Sequence, residues 1–395
     1  MPDILAIKET INRLFVTGAY VNQAFLATFI PCYPYTKLPL YPFDRKLLWF
    51  ESEDSYRNRQ PVLVHPWLGV EQINPLPTWE RIIDIESQPW IYDHIIAGSL
   101  LAPGALYIDI ALAAGTQVYK TDHLCITDSQ FLQAMILPKD GHIRIRTTCD
   151  PETGEVNIYH RDPPSENSKC FTENEEKRWT LHYKGFVSEQ TENYMIKEGN
   201  QLLHEAYQRC SIPVDIDGMY ERMRIQGLEF GPGFQSLQKA RIGVDEGICV
   251  VRPTVPGIYQ DTSKGHILHP ILIDALFQSM ICILGEKEGG CIPICITSFN
   301  MNKSNQPLHK RSDSQSDGED RNKIDEHELT IYVKKSKTKH NINISADIWM
   351  YYNDEPFIWT SGCQVVPLHR DTHVDLNILS TIKYLSCNGF PSIDI

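Results

Sequence analysis

No run of about 18 uncharged apolar residues occurs in this 395-residue chain, so the sequence offers no membrane-spanning helix. Its opening, MPDILAIKETINRLF, mixes charges among apolar positions and lacks the layout of a signal peptide. Positive charge is scarce. The 37 Lys and Arg stand against 50 Asp and Glu, a net charge of −13, which argues against nucleic-acid binding. CxxC spacing is absent as well. The eleven cysteines, at 32, 125, 149, 170, 210, 249, 282, 291, 295, 363 and 387, are scattered, and several lie in apolar runs. That is the pattern of reduced, partly buried thiols in a cytoplasmic protein, not of a disulfide framework. The sequons at Asn302 and Asn343 carry no meaning in that compartment. What is left is ordinary globular composition, 42% hydrophobic and 22% charged, with length for two to three domains.

The chemistry-bearing residues are concentrated in a few places. Residues 92–104, YDHIIAGSLLAPG, set an acid–histidine pair, Asp93–His94, ahead of Gly98 and Pro103-Gly104, in the pattern H-x3-G-x4-P. The apolar run ALYIDIALAAG follows, with Asp109 its one charge. A proline near the start and a glycine at 115 predict a helix over 103–115, and a helix apolar on nearly all sides is surrounded by protein. A second such helix is expected from Pro270 to Gly285, carrying Asp274 and Gln278. Around the first, HLCITDSQF, IRIRTTC, EVNIYHR and RWTLHYKGFV alternate like strands between turn residues. Around the second, QKARIGV, GICVVRP, ELTIYVKK, NINISADIWMYY and PFIWTSGCQVVPL do the same after a helix over 214–226. The expected fold is α+β, with antiparallel sheets wrapped around long central helices, the hot-dog plan. Ile11 to Phe29 reads as an amphipathic helix and a loop, and the proline-rich 31–42 as extended chain. Residues 161–177 and 303–328 are polar enough to read as mobile insertions, the second holding Ser312, Ser314 and Ser316.

The motif around His94 resembles the first catalytic motif of the dehydratase domains of type I polyketide synthases and fatty acid synthases. Other landmarks follow in that family's order. HPWLG at 65–69 resembles its opening HPLLG, GLEFGPGFQ at 227–235 its glycine-tyrosine-glycine-proline segment, and HPILIDALFQSM at 269–280 its D-x3-Q motif. LPLYPFDR at 38–45, with Trp49, looks like the linker after an acyltransferase domain. The resemblance implies a double hot dog divided into a linker at 1–58, an N-terminal half at 59–195, a C-terminal half at 196–368 and a tail at 369–395. It implies elimination of water from a 3-hydroxyacyl chain on an acyl carrier protein. His94 and Asp274 are then catalytic, and Gly98, Pro103, Phe230, Gly231 and Gln278 bind substrate. Neighbouring synthase domains and a homodimer through the parent synthase are the implied partners. No metal or nucleotide is required, since phosphopantetheine arrives on the carrier-bound substrate.

The residue types suit that reaction. A neutral imidazole at His94 accepts the α-proton. Burial keeps the Asp274 carboxyl protonated, against the pull of a helix N-terminus. Gln278, one turn on, reaches that carboxyl. Gly98 lets backbone approach closely and offers an N–H to the thioester oxygen, with dipole added by the helix start at Pro103. His65 and His269, both before prolines, read as structural, and their spacing gives no zinc site. Lys334, Lys335, Lys337 and Lys339 form either a carrier-docking patch or a solvated strand end. Two positions depart from the family pattern. Phe230 stands where tyrosine is usual, and Ile292-Pro293-Ile294-Cys295-Ile296 replaces an aromatic Leu-Pro-Phe-x-Trp. The alternatives are a product-template-like cyclase or isomerase on the same fold, or a silent double hot-dog scaffold.

Overall fold

The computed structural model describes residues 4–20, 22, 50–52, 55–56, 59–60, 62–161, 179–190, 194–252, 266–284, 288–302, 329–336 and 344–369. The linker motif at 38–45 with Trp49, the polar stretches 162–178 and 303–328, Lys337, Lys339 and the tail beyond 369 lie outside the described residues. The chain divides into two compact units, 1–53 and 54–395. The first holds helix α1, Ile4–Val16. It begins earlier than Ile11, where the helix and loop expected over 11–29 start. Gly18, at φ 79°, stops it while the Ala19 N–H closes on the Leu14 carbonyl, a left-handed cap that glycine supplies without steric cost.

The second unit is built on strands β1 Val70–Gln72, β2 Thr78–Asp84, β3 His94–Ile96 and β4 Ser99–Leu100, then helix α2 Gly104–Tyr119. Next come β5 Leu124–Phe131, β6 His142–Cys149, β7 Glu155–Arg161 and β8 Thr180–Glu189. Helix α3 Tyr194–Arg209, β9 Ile212–Val214, helix α4 Ile216–Ile225, β10 Leu228–Phe230, β11 Leu237–Ile242 and β12 Glu246–Val251 follow. Helix α5 Pro270–Cys282, β13 Glu288–Met301, β14 Leu329–Ser336, β15 Ile344–Tyr352 and β16 Glu355–His369 complete it.

Among the described residues, thirteen strands form one sheet in the order β1-β2-β6-β7-β8-β5-β13-β16-β15-β14-β12-β11-β9. The first six curl around α2 and the remaining seven around α5, which also touch each other. This is the double hot dog, with its two sheets fused edge to edge where β13 pairs antiparallel with β5. The join removes two open strand edges at the centre of the molecule. The sequence hides β13 because Gly289, Gly290 and Pro293 interrupt it. The β13–β16 register slips between Pro293 and Cys295, a bulge that accommodates a residue with no N–H to give.

Both central helices are buried as their composition demands. All thirteen residues of α5 are buried, as are Ala105 to Gly115 in α2. Gly115 does not end α2. It lies inside the helix, where an added Cβ would fall 2.8 Å from the Val187 side chain and 3.0 Å from Leu124. Glycine here allows close approach of helix and sheet, and the stop comes at Lys120 in the left-handed region (φ 56°). The α5 start is capped by His269, whose Nδ1 accepts the Ile271 N–H at 3.3 Å. Helix α3, which the sequence reading lacks, covers the outer face of the second half, where its Leu203 and Ala206, with Cys210 just past its end, cluster with Tyr332, Trp349 and Trp359. Among the described residues no helix is long and apolar enough to cross a membrane.

Candidate active site

A small three-stranded sheet, β10-β3-β4, sits apart from the main one and assembles the first wall of the site. Its register sets Phe230 directly opposite His94. The two rings stack with centroids 5.2 Å apart and planes at 22°, and Phe234 packs on the imidazole at 5.0 Å. Asp93 does not pair with His94. Its carbonyl accepts the Gly231 N–H at 2.8 Å and its carboxylate accepts the Gly233 N–H at 2.7 Å. A side chain at Gly231 would collide with Asp93. The glycine-rich segment is thereby clamped against the histidine strand.

His94 and Asp274 line one cavity of about 110 Å³ at the junction of the two halves. Its walls are largely apolar, including Ile96, Leu101, Phe131, Leu228 and Phe277. His94 Nδ1 donates to the Leu101 carbonyl at 2.9 Å, which leaves Nε2 unprotonated. Burial, outweighing that hydrogen bond, lowers its pKa to about 4. Asp274 has the opposite problem. Burial raises its pKa to about 7, against the pull of a single hydrogen bond from Gln278 Nε2 to Oδ2 at 2.7 Å. Gln278 is itself fixed. Its amide also donates to the Phe234 carbonyl at 2.8 Å, and its Oε1 accepts the Tyr220 hydroxyl at 2.8 Å. With Oδ2 occupied by a donor, Oδ1 is the oxygen left to carry the proton.

The structure therefore brings His94, Asp274, Phe230 and Gln278 together around the cavity. Gly98, Pro103 and Gly231 are not among its lining. Gly98, at φ 69°, forms with Ala97, at φ 52°, the two-residue turn between β3 and β4, a pairing that a type I′ hairpin requires. Its N–H sits at the hairpin tip, and the close backbone approach falls instead to Gly104, the first residue of α2 and part of the wall. A Cβ at Gly104 would meet Phe131 and Pro293 at 3.4 Å. Pro103 caps that helix. Tyr220, Phe234 and Cys291 also belong to the site, and sequence reasoning misses all three. Tyr220 has a signal, a hydroxyl on the helix expected over 214–226. Cys291 lies in the strand that Pro293 obscures. Of the lysine patch, Lys334 is exposed and Lys335 pairs with Asp245 at 3.1 Å.

A second buried cluster adjoins the site. Asp109 of α2 accepts four hydrogen bonds. His65 Nε2 (2.8 Å) and His266 Nδ1 reach Oδ2, and the backbone N–H groups of Ile267 (3.0 Å) and Leu268 (3.1 Å) reach Oδ1. Burial alone would push this carboxyl up, but the two histidines hold it well below the usual carboxylate range. Among the described residues this is the one trio whose ligand atoms converge closely enough, within 4.8 Å, to hold a cation. Their chemistry does not fit one. His65 Nδ1 accepts the Trp67 and Leu68 N–H groups at 3.1 and 3.0 Å, so its proton is on Nε2, where a metal would bind.

A double hot dog with His94 and Asp274 on one largely apolar cavity, their pKa values pushed apart by burial, is an arrangement suited to acid–base chemistry. The model described as polyketide synthase dehydratase domain matches residues 65–161, and that described as polyketide synthase dehydratase N-terminal domain matches 198–335. The chain belongs to the polyketide synthase dehydratase family. Its curated relatives include the highly reducing polyketide synthase sorA of Penicillium rubens, 30% identical over 62% of this chain and 10% of that protein. The chain thus spans about a tenth of the length of the curated relatives it matches. Among solved structures, the dehydratase domain from the CurJ module of curacin polyketide synthase superposes with TM-score 0.61 at 22% identity, covering 80% of this chain and 99% of that one. An inactive His-to-Phe variant of the CurJ dehydratase in complex with a compound gives TM-score 0.59 at 21% identity, covering 78% and 98%.

Proposed function

We propose that this domain removes water from a 3-hydroxyacyl thioester carried on an acyl carrier protein, giving the 2-enoyl thioester during polyketide synthesis. His94 Nε2 takes the α-proton, the electron pair forms the new carbon–carbon double bond, and the β-hydroxyl leaves with the proton from Asp274. One imidazolium and one carboxylate remain, and proton return through departing water resets them. Negative charge that builds on the thioester oxygen meets the start of α2, where Gly104 lines the cavity. Gln278, held by Tyr220 and Phe234, keeps Asp274 in one orientation. The inactive His-to-Phe variant of the CurJ dehydratase supports a histidine in the leading role.

The observation that carries this reading is the divergence of two pKa values in one cavity. Burial leaves His94 neutral above about 4 and Asp274 protonated below about 7, so base and acid coexist in their working forms. Phosphopantetheine, neighbouring synthase domains and a carrier protein belong to the same reading, in which a flexible arm carries the acyl chain to the cavity that His94 and Asp274 line. Mass spectrometry of carrier-bound 3-hydroxyacyl chains tests it. Loss of one water with the wild type, and none with His94→Ala or Asp274→Asn, is expected. Intact substrate for every chain length and both hydroxyl configurations, with folded protein, would move the cyclase or scaffold reading ahead.

A further inference from the structure

We propose that Asp109, which touches no substrate, is a positioning residue: it fixes the start of α5, and through that helix Asp274, relative to His94. The inference rests on the dehydratase reading. The two reacting groups stand on different halves of the fold, 180 residues apart in sequence, so their separation depends on contacts that cross between the halves. Asp109 makes the most concentrated of these. It belongs to α2, whose first residue lines the cavity and whose preceding segment supplies, at Leu101, the carbonyl that orients His94. Its carboxylate grips three consecutive residues, His266, Ile267 and Leu268, through one ring nitrogen and two backbone N–H groups. His269 then caps α5, and Asp274 follows just over one turn into the helix.

Direct contact of Asp109 with substrate is excluded by its place. It is fully buried and is not part of the cavity wall. A second set of contacts runs the same way. Trp90 packs on His269 at 5.1 Å and on Phe234 at 6.2 Å, and Phe234 packs on His94. The start of the acid's helix and the base are thus joined through two aromatic rings, while Asp109 holds that start from the other side. With a cation excluded by the His65 tautomer, the cluster's purpose is mechanical. A carboxylate with four donors has one arrangement, and any slip of residues 266–268 breaks two or three of its bonds together.

A role in stability alone would lower the melting temperature of Asp109 variants and leave Asp274 as it is. Positioning makes a different demand. If α5 shifts, Asp274 gains water and its midpoint falls from about 7 toward the ordinary carboxylate value. Carbon NMR of protein labelled at the aspartate carboxyls reads this directly, with the Asp274 signal identified by its loss in Asp274→Asn. We expect Asp109→Asn to lower that midpoint by about one pH unit. Dehydration by the same variant should lose about tenfold or more in kcat, with KM changed less than about threefold. His266→Ala, which leaves both backbone grips in place, should shift both quantities in the same direction by less, and it carries the test if Asp109→Asn does not fold. An unmoved Asp274 midpoint and unchanged kcat in the folded variants would overturn the proposal. The titration needs no turnover, so it judges Asp109 even if the domain proves not to dehydrate the chains supplied.

Discussion

Two aspartates sit in matching surroundings and end in opposite states. Asp109 is the only charged residue of the first central helix, and Asp274 the only one of the second. Both are buried among aliphatic neighbours, and burial pushes both toward the neutral acid. Asp109 meets four donors and stays an anion. Asp274 meets one, from Gln278, and is raised to about 7. The helix that carries a buried carboxylate therefore does not decide its role. The donors it meets do: Asp109 has four from other elements, and Asp274 has one, from its own helix.

The sharpest break of this comparison is Asp274→Asn. Because the wild-type side chain is largely neutral below pH 7, an isosteric amide should fold with nearly the same stability, while dehydration falls by roughly 10²- to 10⁴-fold, the usual worth of a positioned proton donor. The stability difference should also depend on pH. A folded pKa raised above the unfolded value contributes stability at low pH that is lost as pH rises through the folded value. Wild type should lose ground to Asp274→Asn between about pH 4 and pH 7 in chemical denaturation. Asp109→Ala should show the reverse pattern, a loss of roughly 3–5 kcal/mol in the same measurement, because two buried histidines and two backbone N–H groups lose their acceptor. For Asp109 the sign is opposite. Its folded pKa is depressed, so its contribution is present above the unfolded value and disappears as pH falls.

Smaller changes sharpen the contrast. Gln278→Leu removes the one donor that favours ionised Asp274, so the alkaline limb of the dehydration profile should move to higher pH while kcat drops through lost orientation. Tyr220→Phe leaves the Gln278 carbonyl unpaired and should cost about 1 kcal/mol, a several-fold loss in kcat with the fold intact. If Tyr220→Phe instead matches Gln278→Leu in its pH shift, the glutamine acts through its own hydroxyl partner more than through its amide donor.

Much of the site is legible in the sequence because it is encoded locally. His94 is tied to Gly98 and Pro103 by spacing, Asp274 to Gln278 by one helical turn, and both central helices declare themselves by unbroken apolar composition between a proline and a stop. The hidden parts depend on partners remote in the chain. Asp109 finds His65 across 44 residues and His266 across 157, distances over which spacing carries no information. Gly98 reads as a donor because a glycine four residues after His94 admits two roles. The backbone angles decide for the hairpin turn, and the cavity wall goes to Gly104. Gly115 likewise reads as a helix stop until the strand side chains pressing on it are seen. The strand β13 vanishes behind its own glycines and Pro293, and with it goes the fusion of the two sheets.

The pH dependence of kcat/KM for dehydration of a carrier-bound 3-hydroxyacyl chain, measured from pH 3.5 to pH 9, tests most directly whether a neutral histidine and a protonated aspartate work as a pair. Activity should rise through about 4 as His94 loses its proton and fall through about 7 as Asp274 loses its own. A rate that holds level or climbs above pH 8 would mean that Asp274 works as an anion, and the assignment of His94 as base and Asp274 as acid would be wrong.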